Sequence, residues 1–196
     1  CAIYLEHIPC DAMTPWIDGA FNMGMKHTRH ALGPTKLPLH RYLFPELPIF
    51  EMVAHGIRPI PAEEDDLKLA FFHGMGLWLK GKGASWYSQG FRQLAPKYLD
   101  VLTAYKEYFR APDALPHVDT LMEGVYANKF SLGGKSVYTI YNANATTVRG
   151  ALLKVAGAVK GTSLLEIAPF GVEFDGATGE IRGSLPPQGV GAVLVE

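Results

Sequence analysis

The stretch GVYANKF at residues 124–130, followed by LGGK at 132–135 and SVYTIY at 136–141, decides the fold of the C-terminal part of the chain. Both longer runs are rich in the β-branched and aromatic residues that favour strands. The Gly-Gly pair between them suits the positive backbone angles of a short hairpin turn. The stretch therefore predicts a β-hairpin.

Short runs of the same texture continue to the end of the sequence, at residues 149–155, 163–167, 171–174, 180–182 and 191–195. Turn residues separate nearly all of them. Strands at this spacing are typical of an antiparallel sandwich and not of a parallel sheet. No repeat of fixed period is visible. We expect an all-β domain over residues 113–196.

The preceding part of the chain alternates strand-like and helical patterns. An apolar run at residues 2–5 ends on Glu6, as a buried strand entering a loop would. Residues 43–51 read as a strand end with a loop, because two prolines interrupt them. Helical spacing then predicts helices from Pro61 to Leu77 and from Phe91 to Phe109. The texture changes near residue 112, which predicts a domain over residues 1–112.

Composition excludes several classes of function. Eighteen basic and nineteen acidic residues give a net charge of -1, so no positive field gathers nucleic acid or an anionic membrane. No apolar run approaches the roughly 18 to 20 residues of a membrane span. The chain contains no GxSxG, GxxxxGK[ST], GxGxxG or HExxH motif. Two cysteines leave the redox compartment, and hence the localisation, undetermined. Because it opens on Cys and not Met, we expect a truncated product.

Two stretches carry a resemblance to a known class of protein. VYTIYN at residues 137–142 and GSLPPQGVGAVLV at 183–195 resemble the first and last strands of the β-sandwich that closes many barrel-type glycoside hydrolases. YLEH at 4–7, DAM at 11–13 and WIDGA at 16–20 resemble a late barrel strand and its loop in bacterial glycosidase-like proteins.

The resemblance implies a fold of α/β plus all-β class. Residues 1–112 would form the last segments of a (β/α)8 catalytic barrel and residues 113–196 an antiparallel β-sandwich. It implies hydrolysis of a glycosidic bond, a carbohydrate substrate, no cofactor, and the remainder of the barrel upstream as the partner of this part.

The candidate catalytic residues are the carboxylates Glu6, Asp11 and Glu46. Glycoside hydrolysis needs two carboxyl groups, and a barrel collects its functional groups at the carboxyl ends of its strands, where Glu6 falls. The alternative is that Glu6 is a solvated strand end or an ion-pair partner of Arg41. Asp11 could bind sugar hydroxyls. Glu46 and Glu51 flank an apolar stretch, and burial would raise the pKa of either towards that of a general acid, although capping or ion pairing competes.

The candidate substrate-binding residues are His7, Trp16, Arg41, Trp86 and Tyr87. Tryptophan and tyrosine offer flat apolar faces on which sugar rings stack, and the Trp86-Tyr87 pair follows a glycine-rich segment. His7, next to the leading acid, can hydrogen-bond a substrate or a carboxylate.

Four further features favour structural interpretations. Trp78 falls at helical spacing and is expected in the core. Asp18 reads as a turn or cap residue. His27 and His30 are three residues apart but lack a third ligand, so no metal site is predicted. Asn144 begins an N-glycosylation pattern in a turn context.

Two other classes of function remain open. The chain could be a non-catalytic carbohydrate-binding or structural module, in which the carboxylates do no chemistry. It could also be a protein-interaction domain, which would bind no glycan.

Overall fold

The computed structural model describes residues 2–6, 11–22, 37–53, 61–79 and 87–196. The chain divides into two compact units, Cys1–Lys106 and Glu107–Glu196. In the described part, no helix is both long and apolar enough to cross a bilayer.

The first unit is built on a parallel sheet of four strands that pair in chain order. These strands are β1 (Tyr4–Glu6), β2 (Gly19–Asn22), β3 (Ile49–Val53) and β4 (Gly76–Leu79). A 3-10 helix (Asp11–Trp16) follows β1, and the described α-helices are α1 (Leu39–Leu43), α2 (Pro61–Phe72) and α3 (Gln89–Ala104). Each strand therefore runs in the same direction as its neighbour.

One face of this sheet is buried beneath helix α2, which contacts β3 and β4. Ala20, Ile49 and Val53 have almost no exposed surface on that face. Helix α2 buries residues around most of its circumference because α3 packs on it as well, with Phe71 stacked on Tyr98 at a centroid distance of 4.5 Å. The core of the unit thus lies between the sheet and the two helices.

Serine 88 fixes the start of helix α3. Its hydroxyl accepts a hydrogen bond from the backbone N–H of Phe91 at 3.0 Å, as an N-cap residue does. The same hydroxyl donates to Glu64 of helix α2 at 2.8 Å. A single side chain therefore caps one helix and ties it to its neighbour.

The helix expected from Pro61 to Leu77 is shorter than predicted. It ends at Phe72, and Gly74 takes a positive φ of 64° that leads directly into β4. The helical spacing of apolar residues continued by coincidence into a four-residue strand, so Trp78 lies on β4 and not on a helix. In the segment 43–51, helix α1 and a turn come before a strand that continues to Val53.

The second unit begins within helix α4 (Lys106–Phe109) and continues as two antiparallel sheets. Its strands are β5 (Ala114–Val118), β6 (Val125–Leu132), β7 (Lys135–Asn142), β8 (Val148–Lys154), β9 (Gly161–Ser163), β10 (Gly171–Asp175), β11 (Glu180–Leu185) and β12 (Val190–Val195). One sheet has the order β5-β6-β7-β12-β9 and the other the order β10-β11-β8.

The two sheets share one hydrophobic core. Apolar side chains from β6, β7 and β12 meet those from β8, β10 and β11, including Ile140, Leu152, Ile181 and Val193, all essentially unexposed. Packing of this kind defines a sandwich. The predicted all-β C-terminal part is confirmed.

The hairpin predicted from residues 124–141 is confirmed in detail. Strands β6 and β7 pair antiparallel up to Leu132 and Lys135. Gly133 and Gly134 both have positive φ, 58° and 81°, as a type I′ turn requires. Strand β5 was not predicted, because Pro116 interrupts its pattern; it lies at the edge of its sheet, where proline is tolerated.

Candidate functional site

The carboxyl ends of the four parallel strands define one edge of the first sheet. The strands end at Glu6, Asn22, Val53 and Leu79. Because parallel strands present their carboxyl ends on the same side, the segments that leave them start from one edge. Those segments, residues 7–10, 23–36, 54–60 and 80–86, lie outside the described residues.

Glu6, the leading catalytic candidate, is the last residue of β1. Its Cα pairs in parallel register with Phe21 of β2, and Phe21 pairs in turn with Phe50 of β3. Phe50 pairs with Gly76, the first residue of β4, so the row through position 6 runs from the carboxyl end of β1 to the amino end of β4. His7 follows Glu6 outside the described part of the chain.

Aromatic rings cover the face of the sheet opposite the helices. Tyr4, Phe21 and Phe50 lie at centroid distances of 6.0 to 6.1 Å from one another, and Phe21 and Trp78 lie 4.2 Å apart. Tyr4 is 44% exposed, and the other three rings are half-buried. We call these four residues the aromatic face. Sequence reasoning missed it, because its members come from four separate strands.

Two glycines make room for these rings. Gly19 is the register partner of Tyr4, and Gly76 is that of Phe50. A methyl group at either position would overlap the neighbouring ring. Each ring therefore lies over the backbone of the next strand, where no side chain competes with it.

The buried side of the first unit holds a set of polar side chains. Arg41 is 3% exposed and Glu51 is 0% exposed, and Asp66 and His73 are equally buried. The Arg41 Nε donates to the backbone carbonyl of Gly74 at 3.2 Å. Burial lowers the pKa of Arg41 to about 10, while the neighbouring Tyr42 opposes that shift. Arg41 is therefore positioned to hold α1 against the turn before β4.

A hydrogen bond of 2.9 Å joins the Tyr42 hydroxyl to Nδ1 of His73. Burial raises the pKa of Tyr42 well above its ordinary value, and the charge of Arg41 opposes this rise. The phenol therefore stays protonated over the usual working range of pH. Its ring also meets that of His73 edge-on at 6.0 Å.

Three of the predicted residues lie in or near the loop after β1. Asp11 begins the 3-10 helix and Trp16 ends it. The Trp16 ring is 76% exposed. Asp18 is a structural clamp: its carboxylate accepts from the Ile3 N–H at 2.7 Å, and its own N–H donates to the Ile3 carbonyl at 2.8 Å. The structural interpretation of Asp18 agrees with these contacts.

Other candidates are placed differently from the sequence expectation. Glu46 is exposed in the turn before β3, whereas Glu51, on the strand itself, is the buried acid of the pair. Tyr87 is buried and stacks on Phe91 at 4.4 Å, which makes it a packing residue with little surface for a sugar ring. Arg41 is likewise enclosed.

The remaining predicted residues, Trp86, His27 and His30, lie outside the described residues. Within the described part, no three His, Cys, Asp or Glu side chains come together as a metal site would require.

Comparison with known proteins gives fold similarity only. No protein family model matches the chain, and no curated protein matches it. Solved structures do match. An Anoxybacillus alpha-amylase aligns over 99% of this chain and 52% of its own, with a TM-score of 0.63 and 10% identity.

An alpha-amylase from H. orenii aligns over 100% of this chain and 53% of its own, with a TM-score of 0.59 and 12% identity. A gamma-CGTase from alkalophilic Bacillus clarkii aligns over 98% of this chain and 36% of its own, with a TM-score of 0.59 and 12% identity. The chain spans about half the length of the two amylases that it matches. It therefore shares its fold with part of these enzymes.

Proposed function

We propose that this chain forms part of a glycoside hydrolase, with its reacting groups at the carboxyl edge of the parallel sheet. The observation that carries the proposal is the sheet itself, in which four parallel strands pair in chain order with helices on one face. That arrangement is the building pattern of a (β/α)8 barrel, in which catalysis occurs at the carboxyl ends of the strands. The similarity to parts of two alpha-amylases supports the same fold.

The aromatic face supports the barrel proposal independently. In a closed barrel, one face of every strand points into a packed interior and the other contacts the helices. Here the helix side is buried, whereas Tyr4 on the other side remains 44% exposed. Four neighbouring aromatic rings left at a surface form the type of apolar patch that is normally covered. In this proposal, further strands of the same barrel cover the aromatic face.

Glu6 is the leading catalytic carboxylate in this proposal. It is the last residue of β1, and its Cα pairs in register with Phe21 of β2. A carboxyl group at the end of a barrel strand can protonate a leaving oxygen, and as an anion it can instead attack the sugar carbon or activate water. The second carboxyl group would come from Asp11 or from another strand of the barrel.

The substrate in this proposal is a carbohydrate. Trp16 offers an exposed indole on which a sugar ring can stack, directly after the loop from β1. His7 and Trp86 remain proposed contacts, as they belong to segments leaving the carboxyl edge. Arg41 and Tyr87 would act indirectly, because both are buried and hold the elements that carry those segments.

The experiment is a hydrolysis assay of the full gene product on a panel of oligosaccharides and nitrophenyl glycosides. Glu6→Gln should lower kcat by about a thousandfold or more while sugar binding persists, since only the chemical step loses its carboxylate. Asp11→Asn and Glu46→Gln test the other two candidates in the same assay. Glu123→Gln is the matched control, because this exposed residue lies in the second unit.

Two results would contradict the proposal. Undiminished turnover in Glu6→Gln would remove Glu6 from the mechanism. Absence of turnover on every substrate in the unmodified protein, together with retained glycan binding, would favour the non-catalytic alternative.

That alternative, a carbohydrate-binding module, has one observation of its own. A groove of about 380 Å³ in the sandwich is lined by Phe170, Ser163, Glu166 and Glu173, among others. An aromatic ring beside carboxylate and hydroxyl groups can stack on a sugar and accept hydrogen bonds from its hydroxyls. Phe170→Ala should weaken glycan binding on an array at least about tenfold if this groove is the binding site.

A further inference from the structure

A cavity of about 290 Å³ opens between the two sheets of the sandwich at one end. Its walls include Lys129 of β6, Tyr138 of β7, Lys154 of β8 and Glu196 after β12. We call it the end cavity. It is separate from the groove around Phe170, with which it shares no lining residue.

Lys129 occupies a position that faces the interior of the sandwich. It is the register partner of Tyr138, which pairs on its other side with Val193, and both of these belong to the shared core. Inward-facing charges often protect the exposed edge of a sheet, but β6 is paired on both sides, by β5 and β7. Protection of a sheet edge therefore does not explain why a lysine occupies this inward-facing position.

Tyr138 supplies a second donor. The residue is only 5% exposed, and its hydroxyl makes no hydrogen bond with any described residue. Burial raises the pKa of Tyr138, so the phenol keeps its proton at neutral pH. The residue lines the end cavity, so this hydroxyl can donate to a molecule bound there.

Two ammonium groups at the end cavity, half-buried Lys129 and exposed Lys154, have no carboxylate partner among the described residues. Glu196 is paired with Lys135 at 3.0 Å, and Lys160 also acts on it. Glu180 lies opposite Lys154 in register, but its carboxylate bonds Arg182 at 2.6 Å. Lys129 and Lys154 make no ion pair with any residue that the structure describes.

We propose that the end cavity binds a small oxyanion, the carboxylate or phosphate group of a small molecule. Two ammonium groups and one phenol would donate to it, which is the donor set that charged oxygens favour. The volume admits an anion attached to a single ring. This site is independent of the glycosidic chemistry, since it lies within the second unit.

Calorimetric titration of the full chain at low ionic strength tests the site, with inorganic phosphate and glucuronate as ligands and glucose as the neutral control. We expect millimolar or tighter binding of at least one anion and none of glucose. Lys129→Gln and Lys154→Gln should each weaken it about tenfold, and Tyr138→Phe about threefold, as loss of one charged or one neutral donor would. Arg149→Gln, which removes an exposed charge elsewhere on β8, should change affinity less than about twofold.

Preference between the two anions identifies the source of the oxyanion. Phosphate alone indicates a phosphate ester, glucuronate alone indicates an acidic sugar, and equal binding indicates recognition of the charged group itself. Absence of binding by both anions, or equal weakening by Arg149→Gln and Lys129→Gln, would overturn the proposal. Circular dichroism of each variant confirms that it is folded before titration.

Discussion

The ring of Phe50 lies over the backbone of Gly76, its register partner on the adjacent parallel strand. A Cβ atom at Gly76 would approach the Phe50 Cδ1 to 2.5 Å, far inside van der Waals contact. Tyr4 has the same relationship to Gly19. Two of the four rings of the aromatic face thus lie over the backbone of the neighbouring strand.

Gly76→Ala should therefore destabilise the first unit. The added methyl group would force the Phe50 ring out of its position, an overpacking that typically costs about 1 to 3 kcal/mol. All three tryptophans, at positions 16, 78 and 86, fall within the first unit, so tryptophan fluorescence during urea denaturation reports on it.

A matched pair of variants separates this effect from glycine flexibility. Gly171→Ala, on β10 of the second unit, places a methyl group where nothing lies within 4 Å, and it should leave the unfolding of its own unit, followed by far-ultraviolet circular dichroism, unchanged. Phe50→Leu should recover part of the loss when combined with Gly76→Ala, because the two positions are in direct contact. If the two substitutions were simply additive, the ring would not be the cause.

Asn142 is a fully buried polar residue of the sandwich. Its amide nitrogen donates to the carbonyls of Thr146, Leu185 and Pro186 at 2.9, 3.0 and 2.9 Å. Its Oδ1 accepts from the backbone and side-chain nitrogens of Asn144. One side chain therefore holds together the turn after β7 and the end of β11.

Asn142→Asp should lower the free energy of unfolding of the second unit by about 3 kcal/mol or more, because a carboxylate would face three carbonyl oxygens in a buried site. Asn142→Ala should cost less, about 2 kcal/mol, as it removes partners without adding charge. Far-ultraviolet circular dichroism in urea measures both variants, and tryptophan fluorescence, which reports on the first unit, should show an unchanged transition. Thr147→Ala, at an exposed neighbouring position, is the control and should change little.

The same network bears on Asn144, which begins the glycosylation pattern. Its side-chain nitrogen donates to the Glu123 carbonyl at 3.0 Å and to the Asn142 Oδ1 at 3.1 Å. A glycan on this nitrogen would remove a proton that these contacts use. The structure therefore favours the structural interpretation of the pattern.

Local signals explain which parts of the fold the sequence could predict. The hairpin of β6 and β7 follows from residues next to one another in the chain, and Gly133-Gly134 suits its turn. Strand β4 could not be separated from helix α2, because four residues are too few to establish a period of two. The intervening Gly74, with its positive φ, is the signal that marks the boundary.

The sequence could not predict which side chains of the candidate site are buried. Glu46 and Glu51 flank the same apolar stretch, yet the first is exposed and the second has no exposed surface. Arg41 and Tyr87 carry polar or aromatic groups suited to sugars, but both point into packed regions. Which side of a short element meets the core depends on distant segments of the chain.

Tyr42 gives a prediction at alkaline pH. Its folded-state pKa is raised by burial, so the folded protein keeps the phenol proton after the unfolded chain has lost it. The contribution of neutral Tyr42 to stability is complete below a pH of about 10 and is lost as pH rises above that value. The stability difference between the unmodified protein and Tyr42→Phe, measured by fluorescence in urea, should therefore shrink as pH rises.

The buried Arg41 changes the pH dependence of stability in the opposite direction to Tyr42. Its pKa is lowered to about 10 in the folded state, so its burial penalty is relieved as pH rises beyond that point. Because both proteins contain Arg41, the comparison with Tyr42→Phe cancels most of its effect. If the stability difference between the unmodified protein and Tyr42→Phe grew with pH, the Tyr42 phenol would ionise readily in the folded protein.

Asp175 gives the corresponding prediction at acid pH. The Ala177 N–H donates to its carboxylate at 2.9 Å, and this hydrogen bond, with a further one from the Thr178 side chain, lowers the pKa of Asp175. The stabilisation of the turn between β10 and β11 is thus present above the ordinary pKa of 3.8 and lost as pH falls through the lower folded value. Asp175→Asn retains an acceptor for Ala177 but cannot titrate.

The melting temperature of the unmodified protein should therefore fall more steeply than that of Asp175→Asn as the solution is acidified below about pH 4, where this carboxylate begins to gain its proton. Near neutral pH the asparagine variant should melt slightly lower, because a neutral acceptor bonds less strongly than a charged one. Glu173→Gln, an exposed acid on the same strand, serves as the control. If the acid dependence of Asp175→Asn matched that of the unmodified protein, other carboxylates would set the acid limit of the sandwich.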